Sequence, residues 1–311
     1  MIQFLKNVFH LFKPQYRLIK QVSAKKQEHK KSGFVYQGHS KLALIIQSFN
    51  HRSNIKPIIE NLRKARACEI IVCEDGSVDG SQEEWMKYLN RPNDFLIHSN
   101  DLHEIRTYDR AVRMARAEIV CLLQDDDIST GCEWIDHALQ LFDQHPKLGV
   151  LGGYRGHDFD SETISSKRPF GFQGSRADVR PIPFRDPKLG IPFMFVSSVN
   201  IGPTFFRKEA WESIGGFDFS YSEPGSPGII FDDEISFRAW MGGWQVGLYS
   251  TSFERGVGGR GTMMFCKAER ETNEIKNLGK LKASYGTQLQ MINELVAKAN
   301  QTLKREPVLQ T

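Results

Sequence analysis

Three carboxylates in a row, Asp125-Asp126-Asp127, are the residues of this chain best placed to do chemistry. Adjacent negative charges repel one another unless a cation or water compensates them. Hard divalent cations such as Mg²⁺ or Mn²⁺ take oxygen ligands of this kind and commonly keep substrate phosphates in their shell. In an extended segment Asp125 and Asp127 point the same way. The competing expectation is a solvated acidic turn that caps the helix following Thr130. A second acidic residue, Asp75, lies in the turn-rich stretch Glu74–Ser81. Asp75, Ser77, Asp79 and Gly80 fit the first positions of a calcium loop. Its twelfth position is Met86, where a bidentate Glu is required, so that chemistry is excluded. What remains is a turn with helix-capping residues, or a contact in which Asp75 accepts a hydrogen bond from a nucleotide base. A third acidic group, Asp232-Asp233-Glu234, opens a helix that continues through Phe237, Arg238 and Trp240. The helix dipole favours carboxylates there, and a general base for an acceptor hydroxyl is the functional alternative.

Gly256 to Gly261 spells G-x-G-x-x-G. No clear helix opens there and no convincing acidic residue follows about 20 positions on, which rules out a dinucleotide fingerprint. A Gly-rich loop flanked by Arg255 and Arg260 is suited to closing over a diphosphate. A plain flexible loop fits the residues equally well.

These groups need a scaffold, and the apolar pattern supplies one. Leu42–Ile46, Ile70–Cys73, Phe95–His98, Ile119–Leu123 and Leu148–Leu151 read as strands. Helices are expected over Asn54–Arg66, with Pro57 in the first turn, and over Gln82–Leu89, Arg106–Ala117 and Glu133–His145. Strands alternating with helices imply parallel βαβ units with helices on both faces, an α/β fold. Ligands in such sheets bind outside the carboxyl ends of the strands, and both Asp75 and Asp125–Asp127 fall there. Tyr154 to Pro192 is expected to be long and irregular. Regular structure resumes near Phe193–Phe206, and residues 267 to about 305 are expected to be helical, packed through Leu278, Leu281, Leu289, Ile292, Leu295 and Val296. Trp211, Trp240 and Trp244 suit either an acceptor sugar or the core.

The chain has 311 residues, 40% of them hydrophobic and 25% charged, ordinary values for a globular protein. Residues 1–31 hold eight lysines and arginines against Glu28 alone. That is +7 locally in a chain of net charge +4, so the remainder is −3. The body lacks the electrostatic footprint of a nucleic-acid binder. Residues 1–39 form a basic amphipathic tail, too short to span a bilayer and able to lie on an anionic membrane surface. Five scattered cysteines without a CxxC pair argue against a disulfide framework or a zinc ribbon. The chain is therefore expected to be cytoplasmic, with possible peripheral contact to the membrane face.

Taken together, four blocks resemble the inverting family 2 glycosyltransferases of GT-A fold. Leu44–Asn50 resembles the first strand and its turn. Ile70–Gly80 resembles the "IVVDDGSTDG" block, with Glu74 replacing its first Asp. Leu122–Ile128 resembles "FLDADDI", with Gln124 at the first Asp and Asp126 and Asp127 at the second and third. Gly215–Asp218, Asp232–Arg238 and Gly243-Trp244 resemble "GGFDE…EDxDLSLR…GW". The resemblance covers roughly residues 40 to 250. It implies a GT-A-like domain over 40–265, with a donor half at 40–150 and an acceptor half at 151–265, followed by a helical extension at 266–311. It implies a nucleotide-sugar donor, UDP-sugar favoured, and a glycan or lipid-linked acceptor. Asp75 would contact the base. Gln47, Ser48, Asn50 and Ser77 would line the donor pocket, and Arg106 or Arg110 would lie near base or phosphates. Asp125 and Asp127 would serve ribose and an Mn²⁺ or Mg²⁺ ion, with Asp127 the better ligand and Asp126 beside them. Aligning on Arg238 makes Asp232 the base, with Asp233 as fallback. No histidine follows His157, so a C-terminal histidine ligand is lacking, and Arg255 or Arg260 would hold the diphosphate instead. A sugar-nucleotide nucleotidyltransferase would need a Gly-rich phosphate loop where this chain reads Gln47–Arg52. A non-catalytic binding protein would not need Asp75, Asp127 and Asp232 intact.

Overall fold

Apolar runs bounded by turn residues become the central strands of the fold. The computed structural model describes residues 40–65, 68–100, 102–159, 172–174, 182–251, 253–255 and 267–305. The basic tail, the Gly256–Gly261 loop with Arg260, most of 160–181 and the residues after 305 lie outside these. The first half alternates β1 (Leu42–Ser48), α1 (Arg52–Leu62), β2 (Glu69–Glu74), α2 (Ser81–Tyr88), β3 (Asp94–His98), α3 (His103–Met114) and β4 (Ile119–Gln124). All of β2 is buried, as are Leu42–Ile46 and Ile119–Leu123. Strands covered on both faces read as continuous apolar runs rather than alternation.

β1 pairs in parallel with β2 on one side and with β4 on the other, and β2 pairs in parallel with β3. The chain therefore steps outward from β1 to β3, and α3 returns it to the opposite side of β1. Strand order reverses there, and such a switch point opens a crevice beyond the carboxyl ends of the flanking strands. Gln47 is in register with Gln124, so the loops after β1 and β4 leave the sheet side by side.

The second half runs β5 (Asp127–Ser129), α4 (Glu133–Gln144), β6 (Leu148–Gly152), β7 (Arg155–His157), β8 (Phe172–Gly174), β9 (Phe184–Arg185), β10 (Phe193–Phe195), β11 (Ser198–Val199), β12 (Thr204–Arg207) and α5 (Lys208–Ser213). It continues through α6 (Phe231–Met241), β13 (Gln245–Tyr249), β14 (Phe253–Arg255), α7 (Lys267–Tyr285), α8 (Leu289–Asn300) and β15 (Lys304–Arg305). The main sheet has eight strands in the order β10-β13-β6-β12-β4-β1-β2-β3. β12 lies antiparallel between β4 and β6, so the sheet is mixed where helix–strand alternation predicts parallel pairing. β11, β7 and β8 form a small separate sheet, and β14 pairs with β5.

Several boundaries differ from expectation for tertiary reasons. α1 starts at Arg52, whose amide donates to Asp79 Oδ2 at 3.0 Å, so Pro57 lies inside the helix rather than in its first turn. α3 starts at His103, three residues early, because Asp75 reaches across to cap it. The C-terminal helical stretch breaks at 286–288 and ends in β15, which pairs with β9. Leu295 faces solvent there, whereas Leu278, Leu281, Leu289, Ile292 and Val296 are buried. Trp211 and Trp240 are core residues. The four described cysteines form no disulfide, and burial pushes the Cys73 thiol up to about 12.

Phe205, at the centre of β12, is fully buried and packs edge-on against Trp134 and Tyr249 at ring distances of 5.6 and 6.3 Å. Removing a buried phenyl ring typically costs about 3–5 kcal/mol. Phe205→Ala is therefore expected to lower the urea midpoint sharply. A loss below about 1 kcal/mol would show that this layer can collapse without penalty.

Candidate functional site

At the switch point three loops are laced together by carboxylates that accept backbone amides. Asp125 and Asp126 form a tight turn between β4 and β5, so Asp125 and Asp127 do not share the extended segment expected from sequence. Asp125 Oδ2 accepts the Phe49 amide at 2.6 Å, and its Oδ1 lies 2.7 Å from His51 Nδ1. The Asp125 carbonyl accepts from Asn54 Nδ2 at 3.0 Å. Asp127 turns back instead, with Oδ2 accepting the Gln124 amide at 2.9 Å. The contact with Asp125 pushes the His51 imidazole above its ordinary value, and burial pushes the Asp125 carboxyl up. Asp126 is half-buried at the turn.

The loop after β2 joins the same knot. Glu74 Oε1 accepts the Ser77 amide at 2.6 Å. Ser77 Oγ accepts the Asn50 amide at 3.0 Å, and Asn50 Oδ1 accepts the Val78 amide at 2.8 Å. Asp75, nearly fully buried, accepts the Leu102 and His103 amides, both at 2.9 Å, and so caps α3 from a neighbouring loop. Ser48 Oγ accepts from Trp85 Nε1 at 2.8 Å in the core, a packing task rather than an open donor-pocket contact. Gln47 stays in the ladder beside Gln124. Arg106 donates to the Ser222 carbonyl at 2.7 Å and lies over the Phe219 ring. Arg110 is exposed on α3. Arg255 pairs in register with Asp127 across β14 and β5, so the strand entering the Gly-rich loop borders the acidic turn.

The third acidic group divides by depth. Asp233 is buried, bonded by Ser198 Oγ at 2.5 Å, and pushed far up by burial and by the Asp232 charge. Glu234 is paired with Arg238 at 2.6 Å and bonded by Tyr285 Oη at 2.8 Å. Asp232 is half-buried, and its Oδ2 accepts from Asn200 Nδ2 at 2.9 Å.

One short segment connects this group to the acidic turn. Asn200 contacts Asp232, and Gly202 lies against Asp127. A Cβ on Gly202 would sit 2.5 Å from Asp127 Oδ2, and its φ of +89° also excludes most side chains. Two residues span at most about 7 Å, so one short segment contacts both Asp127 and Asp232. The non-glycine residues with positive φ among those described are Asn50, His103 and Ile230, and all lie in these loops. Ile230 at 68° is the most telling, because a β-branched residue is strained there and it immediately precedes α6. Sequence reading missed His51, His157, Asn200 and Gly202. Only the Gly202-Pro203 pair carried a local signal, that of a turn.

The sequence model described as Glycosyl transferase family 2 matches residues 43–200. The chain belongs to that family, and its fold is GT-A. Among solved structures it is similar to the mannosyltransferase PcManGT from Pyrobaculum calidifontis in complex with GDP-Man and Mn²⁺. That match has a TM-score of 0.53 and 13% identity and covers 85% of this chain and 72% of that one. It is similar to S. aureus TarS 1–349 in complex with UDP, at TM-score 0.50 and 16% identity over 69% of this chain and 59% of that one. GalNAc-T7 with UDP, GalNAc and Mn²⁺ matches at 0.50 and 13% identity over 68% and 43%. The chain spans 37% of the longer TarS chain and 61% of the 1–349 form. No curated protein matches it.

The His51–Asp125 contact has a pH signature. A histidine raised in the folded state gives stability that is complete below its unfolded value of about 6.5 and is lost as pH rises through the higher folded value. The Tm difference between wild type and His51→Gln is expected to be largest below the unfolded value of about 6.5 and to shrink as pH rises through the higher folded value. A difference that grows with pH would contradict the contact.

Proposed function

We propose that this chain is an inverting glycosyltransferase that moves a sugar from a nucleotide-sugar donor to an acceptor hydroxyl, with Asp232 as the base. The observation that carries this reading is the Asn200–Pro203 segment, which touches both Asp127 and Asp232. A donor diphosphate at the acidic turn would thereby lie beside a partly exposed carboxylate. Asp232 is preferred over Asp233 because a base must meet solvent-side substrate in its ionised form. Asp233 is buried and burial disfavours its charge. In the reaction the acceptor oxygen attacks the anomeric carbon from the face opposite the diphosphate. The bond from carbon to diphosphate oxygen breaks, its electron pair leaves with the nucleoside diphosphate, and the acceptor proton passes to Asp232.

The donor set suits one divalent cation with few protein ligands. Among the described residues no group of three or more His, Cys, Asp or Glu is arranged to hold a metal. Asp125 is engaged through both oxygens by Phe49 and His51 and Asp127 through Oδ2 by Gln124. Asp127, the better ligand by the family resemblance, would be completed by diphosphate oxygens and water. Such an ion supplies charge neutralisation to the leaving diphosphate. Mn²⁺ with GDP-Man in the mannosyltransferase and Mn²⁺ with UDP in GalNAc-T7 support a metal and a nucleotide sugar here. Arg255 stands in register with Asp127, and Arg255 or Arg260 would hold the same diphosphate. A glycan or lipid-linked acceptor, reached from the cytoplasmic membrane face through the basic residues 1–31, completes the reading.

Asp232→Asn is expected to lower transfer by about 10²- to 10⁴-fold while donor affinity, measured by calorimetry, stays within about twofold. Transfer at the wild-type rate would remove Asp232 from its role. Donor binding tests the metal separately. UDP-N-acetylglucosamine or GDP-mannose is expected to raise Tm with Mn²⁺ and not with EDTA, and Asp127→Asn is expected to abolish the effect. Equal stabilisation in EDTA would exclude a metal-dependent donor site.

A further inference from the structure

We propose that Asn200 and His157 act as positioning residues that hold the Asp232 carboxylate in line for proton transfer; the proposal rests on Asp232 being the base. His157 Nε2 lies 2.7 Å from Asn200 Oδ1, and Asn200 Nδ2 lies 2.9 Å from Asp232 Oδ2. The chemistry of the partners fixes every orientation in this chain. An ionised carboxylate only accepts hydrogen bonds, so the Asn200 amide must turn its NH₂ toward Asp232. Its carbonyl then faces His157, and the imidazole must carry its proton on Nε2 to donate. Burial lowers the His157 value, which keeps the ring neutral and therefore dependent on one tautomer. The result is a directed relay of donors that ends on one carboxylate oxygen.

The backbone behind the relay is hydrogen-bonded on both sides. Ser198 pairs with His157 across β11 and β7. The Asn200 amide donates to the Arg155 carbonyl at 3.0 Å, and the Asn200 carbonyl accepts from Thr204 Oγ1 at 2.6 Å. Residues 198–200 each hold a different part of α6. Ser198 Oγ binds Asp233, the Val199 amide reaches Ser236 Oγ at 3.4 Å, and Asn200 binds Asp232. Asp232 Oδ1 accepts the Asp233 amide at 3.1 Å, so each of its oxygens is oriented by a separate donor. A polar relay of this completeness exceeds what anchoring one helix turn requires. Ser198 and Ser236 already anchor that turn, and the Asn200 side chain carries the line of hydrogen bonds from His157 to the carboxylate. Misplacing a reacting group by about 1 Å can cost on the order of 10² in rate.

The test measures kcat, KM and calorimetric donor affinity, with Mn²⁺, for hydrolysis of whichever of UDP-N-acetylglucosamine, UDP-glucose and GDP-mannose the wild type turns over. Asn200→Leu and His157→Phe keep the side-chain shape and remove the donors. Both are expected to lower kcat by about 10- to 100-fold with KM and donor affinity within about twofold. His157→Gln, which restores an N–H donor toward Asn200, is expected to recover most of the His157→Phe loss. In an Asp232→Asn background, Asn200→Leu is expected to add little, because residues acting through one group are not additive. Should Asn200→Leu fail to fold, the paired His157 variants give the same comparison. Full kcat in Asn200→Leu, or equal losses in His157→Gln and His157→Phe, would overturn the positioning role while leaving Asp232 as the base. An active Asp232→Asn, or a wild type that hydrolyses none of the three donors, would overturn the underlying reading instead, and this proposal with it.

Discussion

The carboxyl edge of the sheet depends on one constraint: carboxylates placed there must be satisfied by backbone amides. Burying a charge without partners costs several kcal/mol. Asp125 meets the Phe49 amide, Asp127 that of Gln124, Glu74 that of Ser77, and Asp75 those of Leu102 and His103. Each bond links an acid on one loop to a donor within or beside it. The loops after β1, β2 and β4 thus become a single hydrogen-bonded body. The site is built by the same interactions that compensate its charge.

This constraint explains why neighbouring acids have different tasks. Of the three aspartates at 125–127, Asp125 is locked into the loop knot with His51, and Asp127 sits against the Gly202 backbone. In α6 the first-turn carboxylates point in different directions. Asp233 enters the core, Glu234 joins Arg238, and Asp232 stays half-buried against Asn200. Type alone assigns none of these roles, because aspartates of one kind meet different environments. The β11–β12 segment then contacts both the acidic turn and Asp232.

Much of the architecture was legible in the sequence because strongly apolar strands and amphipathic helices announce themselves by period. The strands at 42–48, 69–74 and 119–124 emerge from Leu42–Ile46, Ile70–Cys73 and Ile119–Leu123 with only their polar ends missed. The start of α3 was not legible, because its cap is Asp75, 27 residues away from Leu102. The antiparallel placement of β12 was not legible either, since four residues carry no direction. Ser48, expected to line the donor pocket, accepts from Trp85 in the core.

The sequence by itself determined the alternation of elements, the placement of acids past the strand ends, and the four ordered blocks of the family. These depend on local pattern, and local pattern survives in one dimension. Only the tertiary structure decided which carboxylate is buried, which is capping and which stands open. It also decided that Asn200 and His157 stand behind Asp232. Charge compensation and solvent access depend on which distant backbone amides fold against a side chain, and no spacing along the chain encodes that.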